Sequence, residues 1–404
     1  MPKPSLQHPP DIATQPSPAP KQRAPRPPFA RIALLLQGGG ALGSYQAGVY
    51  QALAEANLHP DWVAGISIGA INAALIAGNA PEHRVAKLRE FWELVSSPHL
   101  NLPHLGALHL GAFDPMNDFV HRLVNQTQAL GVALFGAPGF FKPRLLPPFL
   151  NAPGSPGALS LYDVAPIIET LNRLVDFDRI NAGETRFSVG AVNVRTGNFI
   201  YFDNTTHKIT AQHVLASGSL PPGFPATEID GEQYWDGGLV SNTPLEWVLD
   251  SFPRVDTLAF QIDLWNARGR LPRDLVESDT RQKEIRFSSR TRAGTDQFKK
   301  AQLLRRAAAK LLSDLPDALR QTPEAKMLAV DADQTVFNII QLIYRSRDYE
   351  GTSKDYEFSR LTMEEHWASG KSDVERTLSY KEVLERPQGM DGVFTFDLGE
   401  HEAT

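Results

Sequence analysis

Two short apolar runs, each followed at once by a tight turn and a helical pattern, constrain the fold of this chain most strongly. The first run is ARIALLL at residues 30–36, and apolar residues then recur at helical spacing over residues 44–56. The second is DWVAGIS at residues 61–67, and the small-residue segment IGAINAALIAG follows it directly. Short continuous apolar runs are typical of strands buried in a parallel sheet. The order strand, helix, strand, helix therefore predicts an α/β fold whose site lies at the carboxyl ends of its strands.

Three later stretches predict further elements. Residues 186–203 (RFSVGAVNVRTGNFIYFD) indicate a strand, a Thr-Gly turn and a second strand. Residues 254–264 (RVDTLAFQIDL) predict another strand of the sheet. Residues 297–312 have the apolar spacing of a helix, within a region that is richer in charged residues.

Changes in composition predict how the chain is divided. Residues 1–28 contain ten prolines and almost no large apolar residue, so we expect a disordered leader there. Residues 29–264 carry the predicted sheet and form the expected main domain. Within them, residues 99–158 are rich in Pro, Gly, Leu and Phe, which predicts an irregular apolar insertion or lid. Residues 265–404 form an expected C-terminal extension that is mainly helical.

Composition also excludes several classes of function. The chain of 404 residues has no cysteine, so disulfides, thiolate nucleophiles and cysteine-bound metals are excluded. The formal net charge of −6 gives no reason to expect a nucleic-acid partner. There is neither the apolar core of a secretory signal nor an apolar run long enough to span a bilayer. We therefore expect a cytoplasmic protein without metal or cofactor; the sequence leaves its oligomeric state open.

The glycine loop after the first run admits two interpretations. Residues Gly38–Gly43 fit G-x-G-x-x-G, and Asp61 follows 18 residues later, near where a ribose-binding acid would lie in a dinucleotide site. A helix N-terminus favours any anion, however, and the loop has no lysine of the kind that a P-loop uses. Phosphate binding and stabilisation of another anion thus remain alternatives at this point.

The second turn carries a candidate nucleophile. Gly65, Ser67 and Gly69 form a G-x-S-x-G pattern between a predicted strand and a predicted helix. In a nucleophile elbow, the serine lies on a tight and strained turn between strand and helix, and its neighbours must be small. The alternative is a purely structural turn, because the pattern alone is common. The flanking strand and small-residue helix favour the nucleophile.

Asp236 is the candidate base for this serine. It follows two aromatic residues at the end of a predicted strand and precedes Gly237 and Gly238, which form a turn. The alternative is an Asx turn in which the carboxylate binds only its own backbone. None of the histidines lies in a comparable motif, so we do not expect a histidine base.

Taken together, the glycine loop, the serine elbow and the Asp-Gly-Gly turn resemble the patatin-like phospholipase family of lipid acyl hydrolases. The resemblance extends from Ala30 to Leu264, and it implies a three-layer α/β/α sheet. It also implies a catalytic dyad without histidine, in which Ser67 is the nucleophile and Asp236 the general base. An oxyanion hole would come from the glycine loop, chiefly from the backbone N–H groups of Gly39, Gly40 and Ala41. The residues implied for this loop are Gly38, Gly39, Gly40, Ala41 and Gly43.

One residue of the loop departs from the family pattern. Leu42 stands where many members carry Arg or Lys, which removes a cation near the expected site. Backbone donors do not require that cation. The resemblance implies ester hydrolysis through an acyl-enzyme, and the competing function is a lipid-surface scaffold that has lost activity.

Two features suggest what the protein contacts. The insertion carries apolar side chains that could line an acyl cleft or simply cover the core. These are Leu102, Leu105, Leu108, Phe113, Phe135, Phe140, Phe141 and Leu145. Residues 281–310 contain ten Lys or Arg and only two acidic residues. They predict either a basic helix in peripheral contact with an anionic membrane or an ordinary solvated helix face. The expected substrate is an acyl lipid, either a phospholipid or another ester.

Overall fold

A computed structural model describes residues 26–97, 126–288, 291–346, 350–351, 353–389 and 392–398. Within these ranges, nine strands form one sheet in the order β11-β10-β9-β1-β2-β5-β8-β7, with β6 paired to β5. The strands of this sheet are β1 Arg31–Leu36, β2 Trp62–Gly65, β5 Arg186–Asn193, β6 Phe199–Asp203, β7 Thr227–Ile229, β8 Glu232–Asp236, β9 Thr257–Asp263, β10 Phe337–Ile343 and β11 Val393–Phe396. A separate short pair consists of β3 Lys142–Pro143 and β4 Tyr162–Asp163.

Helices connect and cover these strands. They are α1 Gly43–Glu55, α2 Ile68–Ala77, α3 Pro81–Val95, α5 Ala165–Leu174, α6 Phe177–Ala182, α7 Ala211–Ser217, α8 Leu245–Asp250, α9 Leu275–Phe287, α10 Thr291–Asp314, α11 Asp317–Arg320, α12 Pro323–Asp331 and α13 Arg360–Leu378. The helical residues 126–135 are called α4. The strands and helices predicted on either side of the two turns are confirmed as β1, α1, β2 and α2. The predicted strand pair at 186–203 is confirmed as β5 and β6.

The core lies on both faces of the sheet, as continuous apolar strands require. In β1, Ile32, Leu34 and Leu36 pack into one hydrophobic cluster with α1 and α2. The alternate residues Ala33 and Leu35 face a second cluster that includes side chains of α8 and α10. Helices thus cover both faces of the sheet, and the predicted three-layer α/β/α class is confirmed.

The sheet continues past the predicted boundary at Leu264. β10 pairs in parallel with β9, and β11 pairs in parallel with β10. Helices still form most of the C-terminal region, and α13 packs against α1, where the Trp367 indole donates a hydrogen bond to Gln51 at 2.6 Å. The C-terminal region is therefore an integral part of the α/β fold.

Parallel pairing decides where the loops meet. β2, β9 and, beyond β9, β10 all run parallel to β1. The segments that follow these strands therefore emerge at one edge of the sheet. Residues far apart in the chain come together there, above the carboxyl ends of the central strands.

The basic stretch at 281–310 forms several ion pairs within the chain. They include Arg281 with Glu284, Lys283 with Asp355, Arg305 with Asp250 and Asp331, and Lys310 with Asp314. These pairs support the interpretation as a helix face, while membrane contact by this stretch stays a prediction. Across the described ranges, we found no helix with the length and apolar character needed to cross a bilayer.

Candidate active site

Ser67 occupies a strained turn between β2 and α2. Its backbone has φ 54° and ψ −123°, a conformation that residues other than glycine rarely adopt. A Cβ atom on Gly65 would collide with the carbonyl oxygen of Gly69, so the turn can close only around glycines. The Ser67 N–H donates to the carbonyl oxygen of Ser217 at 3.1 Å and to its hydroxyl at 3.0 Å. This geometry matches the predicted elbow, with the serine half-buried at the start of α2.

The register of β5 explains how Asp236 reaches this serine. β6 pairs with Ser188–Val192 along one edge of β5, so β2 and β8 must share the other edge. β2 ends at Gly65 opposite Val189, and β8, running in the opposite direction, ends at Asp236 opposite Ala191. The ends of the two strands therefore point toward each other along β5.

Burial sets the acidity of Asp236. Its side chain is 2% exposed, and this desolvation raises the pKa of the carboxyl to about 6. The nearby Ser67 side chain and the hydrogen bond from the Gly238 N–H at 2.7 Å oppose the increase in pKa. The Asx-type contact considered above is thus present, and the same carboxylate also faces the serine.

The glycine loop is held in place by distant residues. Asn242 accepts a hydrogen bond from the Gly38 N–H at 3.2 Å and donates one to the Gly38 carbonyl at 3.0 Å. The Trp265 indole N–H donates to the same carbonyl at 2.9 Å. A Cβ atom on Gly38 would lie 3.0 Å from the Cβ of Ser67, so the loop passes directly beside the candidate nucleophile.

These contacts narrow the set of N–H groups that could bind an oxyanion. The Ala41 N–H donates to the Asp355 carbonyl at 2.8 Å, and the Gly43 N–H donates to Gly40 within the first turn. Gly43 also packs tightly, because a Cβ atom there would lie 2.5 Å from Ile68. Over the described part of the chain, the N–H groups of Gly39 and Gly40 have no acceptor. Of the five residues implied for the oxyanion loop, these two are the candidate donors.

A cavity of about 450 Å³ opens beside Ser67 and Asp236. Its polar groups are concentrated around the serine and the glycine loop, and most of the remaining wall is apolar. Apolar wall residues include Ile71, Val132, Phe140, Phe141, Val164, Ile167, Leu171, Val214, Leu215, Phe224 and Phe358. The volume and the apolar lining suit a flexible hydrocarbon chain.

The insertion contributes part of this wall. Phe140 and Phe141 are buried, line the cavity, and pack edge to face with ring centroids 5.3 Å apart. Phe135 and Leu145 are exposed. The other four apolar residues predicted for the cleft lie in 98–125, outside the described residues. Residues 1–25, most of the proline-rich leader, also lie outside them.

The structure places Asp61 away from the glycine loop. Asp61 precedes β2 and accepts a hydrogen bond from the N–H of Ile32, so it lies at the amino edge of the sheet. An acid that bound a ribose beside the loop would have to lie at the carboxyl edge. Among the described residues that line the cavity, none is a histidine.

Several residues of this site were not predicted from the sequence. Ser217, Asn242 and Trp265 contact the elbow or the glycine loop, and Tyr356 and Phe358 close one side of the cavity. Nothing in the glycine loop, the serine elbow or the Asp-Gly-Gly turn indicates these residues. The apolar run FNIIQLI at 337–343 could have indicated a strand that leads to the last two.

Comparisons with known proteins agree with this architecture. A family model described as patatin-like phospholipase matches residues 34–249, more than half of the chain. A second model, described as patatin phospholipase, matches residues 285–390. A search of curated protein sequences gave no significant match.

Two solved structures show distant similarity. VipD from Legionella pneumophila aligns with a TM-score of 0.38 and 14% identity, over 94% of this chain and 73% of VipD. ExoU from the type III secretion system of Pseudomonas aeruginosa, solved in complex with SpcU, aligns with a TM-score of 0.28 and 17% identity. That alignment covers 76% of this chain and 60% of ExoU. Such low scores say nothing about what this chain acts on.

Proposed function

Since this chain belongs to the patatin-like phospholipase family, we propose that it hydrolyses carboxylic esters of acyl lipids with a Ser67–Asp236 dyad. The observation that carries the proposal is the position of Asp236. It is a buried carboxylate with a pKa raised to about 6, and its carboxyl lies beside the side chain of a serine on a strained elbow. A carboxylate with its ordinary pKa would be a weak base for a hydroxyl, and burial makes it a stronger one.

The first step would form an acyl-enzyme. The Ser67 oxygen attacks the acyl carbonyl carbon while its proton moves to the Asp236 carboxylate. The carbonyl oxygen becomes an oxyanion, for which the N–H groups of Gly39 and Gly40 are the proposed donors. When the intermediate collapses, the ester C–O bond breaks and the departing alcohol takes the proton from Asp236.

The second step would release the acid. A water molecule gives a proton to Asp236 and attacks the carbonyl carbon of the acyl-enzyme. The bond to the Ser67 oxygen then breaks, and that oxygen recovers the proton from Asp236. The net reaction consumes one water and yields a carboxylic acid and an alcohol, with both side chains restored.

The apolar cavity supports an acyl lipid as the substrate. Its wall next to the dyad offers the acyl chain hydrocarbon contacts, and transfer of each methylene out of water gains about 0.8 kcal/mol. Phospholipids and other acyl esters share this acyl part. The proposal therefore extends to carboxylic esters in general, with the head group left open.

Ester hydrolysis by active-site variants tests the proposal. We expect Ser67→Ala and Asp236→Asn to lower kcat/KM on an acyl ester by more than about a thousandfold, because each removes an essential group. A fluorophosphonate probe should label the wild type and not Ser67→Ala. Asp236→Asn keeps an acceptor for the Gly238 N–H, so its loss of activity would report on the missing base.

Matched controls come from the exposed face of α9. Ser278→Ala and Asp279→Asn make the same chemical changes on solvent-exposed residues and should leave activity at the wild-type level. Equal activity in all five proteins would contradict the dyad. Absence of both hydrolysis and probe labelling in the wild type would instead favour the inactive lipid-surface protein.

A further inference from the structure

The segment Ser353–Phe358 lies over the glycine loop although it comes from the C-terminal region of the chain. It follows β10, whose parallel pairing with β9 directs it to the same edge of the sheet as the loop after β1. The second family model covers this segment, and the first model ends before it. Residues outside the region matched by the first model therefore reach the candidate active site.

Asp355 contacts the loop through its main chain. Its carbonyl oxygen accepts the hydrogen bond from the Ala41 N–H at 2.8 Å. Gly40 adopts a positive φ of 57°, and a Cβ atom there would collide with the same carbonyl oxygen. The two candidate oxyanion donors, Gly39 and Gly40, thus immediately precede a residue that is held by Asp355.

Two ion pairs hold the segment against α9. Lys283 lies 3.3 Å from the Asp355 carboxylate, and Lys354 lies 2.7 Å from the Glu284 carboxylate. Lys354 is 4% exposed and also donates to the Ser346 hydroxyl at 2.8 Å. Two adjacent residues of α9 therefore pair with two adjacent residues of the segment. Loss of Glu284 would remove the counter-ion of the buried Lys354, whereas Glu284 keeps Arg281 when Lys354 is lost.

Aromatic packing fixes the other end of the segment. Phe358 packs edge to face on Phe140 at 5.7 Å and stacks on Trp92 at 6.4 Å between ring centroids. Both Phe358 and Tyr356 line the cavity. The segment is thus anchored by charge on one side and by aromatic contacts on the other, with the Asp355 carbonyl between them.

We propose that the segment Ser353–Phe358 is a positioning element of the acyl-hydrolase site, holding the glycine loop in its anion-binding conformation through the Asp355 carbonyl. A run of glycines samples many backbone conformations, and a hydrogen bond from outside the loop selects one of them. The Glu284–Lys354 and Lys283–Asp355 pairs keep that carbonyl in place. The inference rests on the proposed function, because it assigns the loop to the oxyanion.

Variants of the Glu284–Lys354 pair test this role. Lys354→Met and Glu284→Gln each break the pair, and Lys300→Met changes an exposed lysine of α10 as the control. The first readout is hydrogen exchange of the peptide that contains the Ala41 amide. We expect exchange about tenfold faster in both pair variants and unchanged in the control, because a protecting hydrogen bond opens more often.

The second readout separates kcat from KM on a short acyl ester. A displaced oxyanion donor weakens binding of the transition state but not of the substrate. We therefore expect kcat to fall about tenfold or more with KM nearly constant. Lys354→Arg should recover much of the loss. The double variant Glu284→Gln/Lys354→Met should lose less than the product of the single effects, since both single changes break the same contact.

The outcomes distinguish this inference from the proposed function. Unchanged exchange at Ala41 in Glu284→Gln and Lys354→Met would overturn the positioning role. If Lys354→Met failed to fold, Glu284→Gln would decide, because it leaves the contact of Lys354 with Ser346 intact. A wild type without Ser67-dependent hydrolysis or labelling would refute the proposed function. Faster exchange of the Ala41 amide in the pair variants would then support only the contact by which the segment holds the loop. It would overturn the role of the segment in catalysis.

Discussion

Asn242 hydrogen-bonds both backbone groups of Gly38, accepting from its N–H at 3.2 Å and donating to its carbonyl at 3.0 Å. The Asn242 amide also donates to the carbonyl of Phe287 at 2.9 Å. One buried side chain therefore connects the start of the glycine loop to the end of α9. An apolar residue could not make this pair of contacts with Gly38.

Replacing Asn242 by alanine should destabilise the protein and disturb the loop. The change removes the hydrogen bonds of this side chain to Gly38 and Phe287, each worth about 0.5–1.5 kcal/mol net. The Gly38 carbonyl keeps the Trp265 indole as a donor. Urea unfolding measures the loss, with exposed Asn198→Ala as the control. Asn242→Asp keeps the acceptor but places a buried carboxylate oxygen against the carbonyls of Gly38 and Phe287, so we expect it to destabilise at least as much as Asn242→Ala. Unfolding of Asn242→Ala at the wild-type midpoint would contradict this role.

The parts of the site that the sequence predicts are those fixed by local geometry. The elbow at Ser67 needs small neighbours whatever surrounds it, because Gly65 leaves no room for a side chain against Gly69. The helix that follows is equally constrained, because all of its residues are buried and half of them are Gly or Ala. Local sequence reports such constraints directly, so the two turns and their flanking elements could be predicted.

The parts that the sequence does not predict depend on contacts between distant segments. Asn242 and Gly38 are 204 residues apart, and nothing in the local pattern of either one indicates the other. Asp355 acts through a main-chain carbonyl, which every residue has. The alignment of β10 with β9 brings Asp355 to the loop, and pairing between such distant strands is decided by the packing of the whole sheet.

Hydrolysis should depend on pH through Asp236. The base acts in its ionised form, and burial raises the pKa of this carboxyl to about 6. We therefore expect kcat/KM to rise with pH, to reach half its maximum near pH 6, and to level off above that value. A pH–rate profile on a soluble ester measures this. A profile in which kcat/KM levels off only near pH 8 or higher would point to a different base.

The same pKa shift predicts that the wild type is less stable at neutral than at acidic pH, as far as Asp236 is concerned. Because the folded-state pKa lies above the unfolded value, this contribution to stability is fully present below about pH 4 and is lost as the pH rises through about 6. Asp236→Asn removes that dependence. We expect the variant to gain up to about 3 kcal/mol relative to the wild type between pH 4 and pH 7.

Chemical unfolding at both pH values measures this gain. Exposed Asp279→Asn is the control, and we expect it to follow the wild type at each pH. A difference between Asp236→Asn and the wild type that stayed constant from pH 4 to pH 7 would contradict the raised pKa. Increased stability together with lost activity would be the usual compromise of a catalytic group held in an unfavourable environment.

Gly218 offers a way to narrow the cavity beside the nucleophile without distorting the fold. It lines the cavity at the end of α7 with φ −107° and ψ 7°, a conformation open to other residues. A Cβ atom there would lie 4.0 Å from the Ser67 hydroxyl oxygen, an ordinary van der Waals distance.

We expect Gly218→Ala to retain most activity. Gly218→Phe should lower both ester hydrolysis and probe labelling by about tenfold or more, equivalent to ~1.4 kcal/mol or more in the barrier. Thermal unfolding should stay near that of the wild type, and Ala182→Phe, on an exposed face of α6, should change neither activity nor labelling. Full labelling of Gly218→Phe would mean that the acyl group reaches Ser67 from another side.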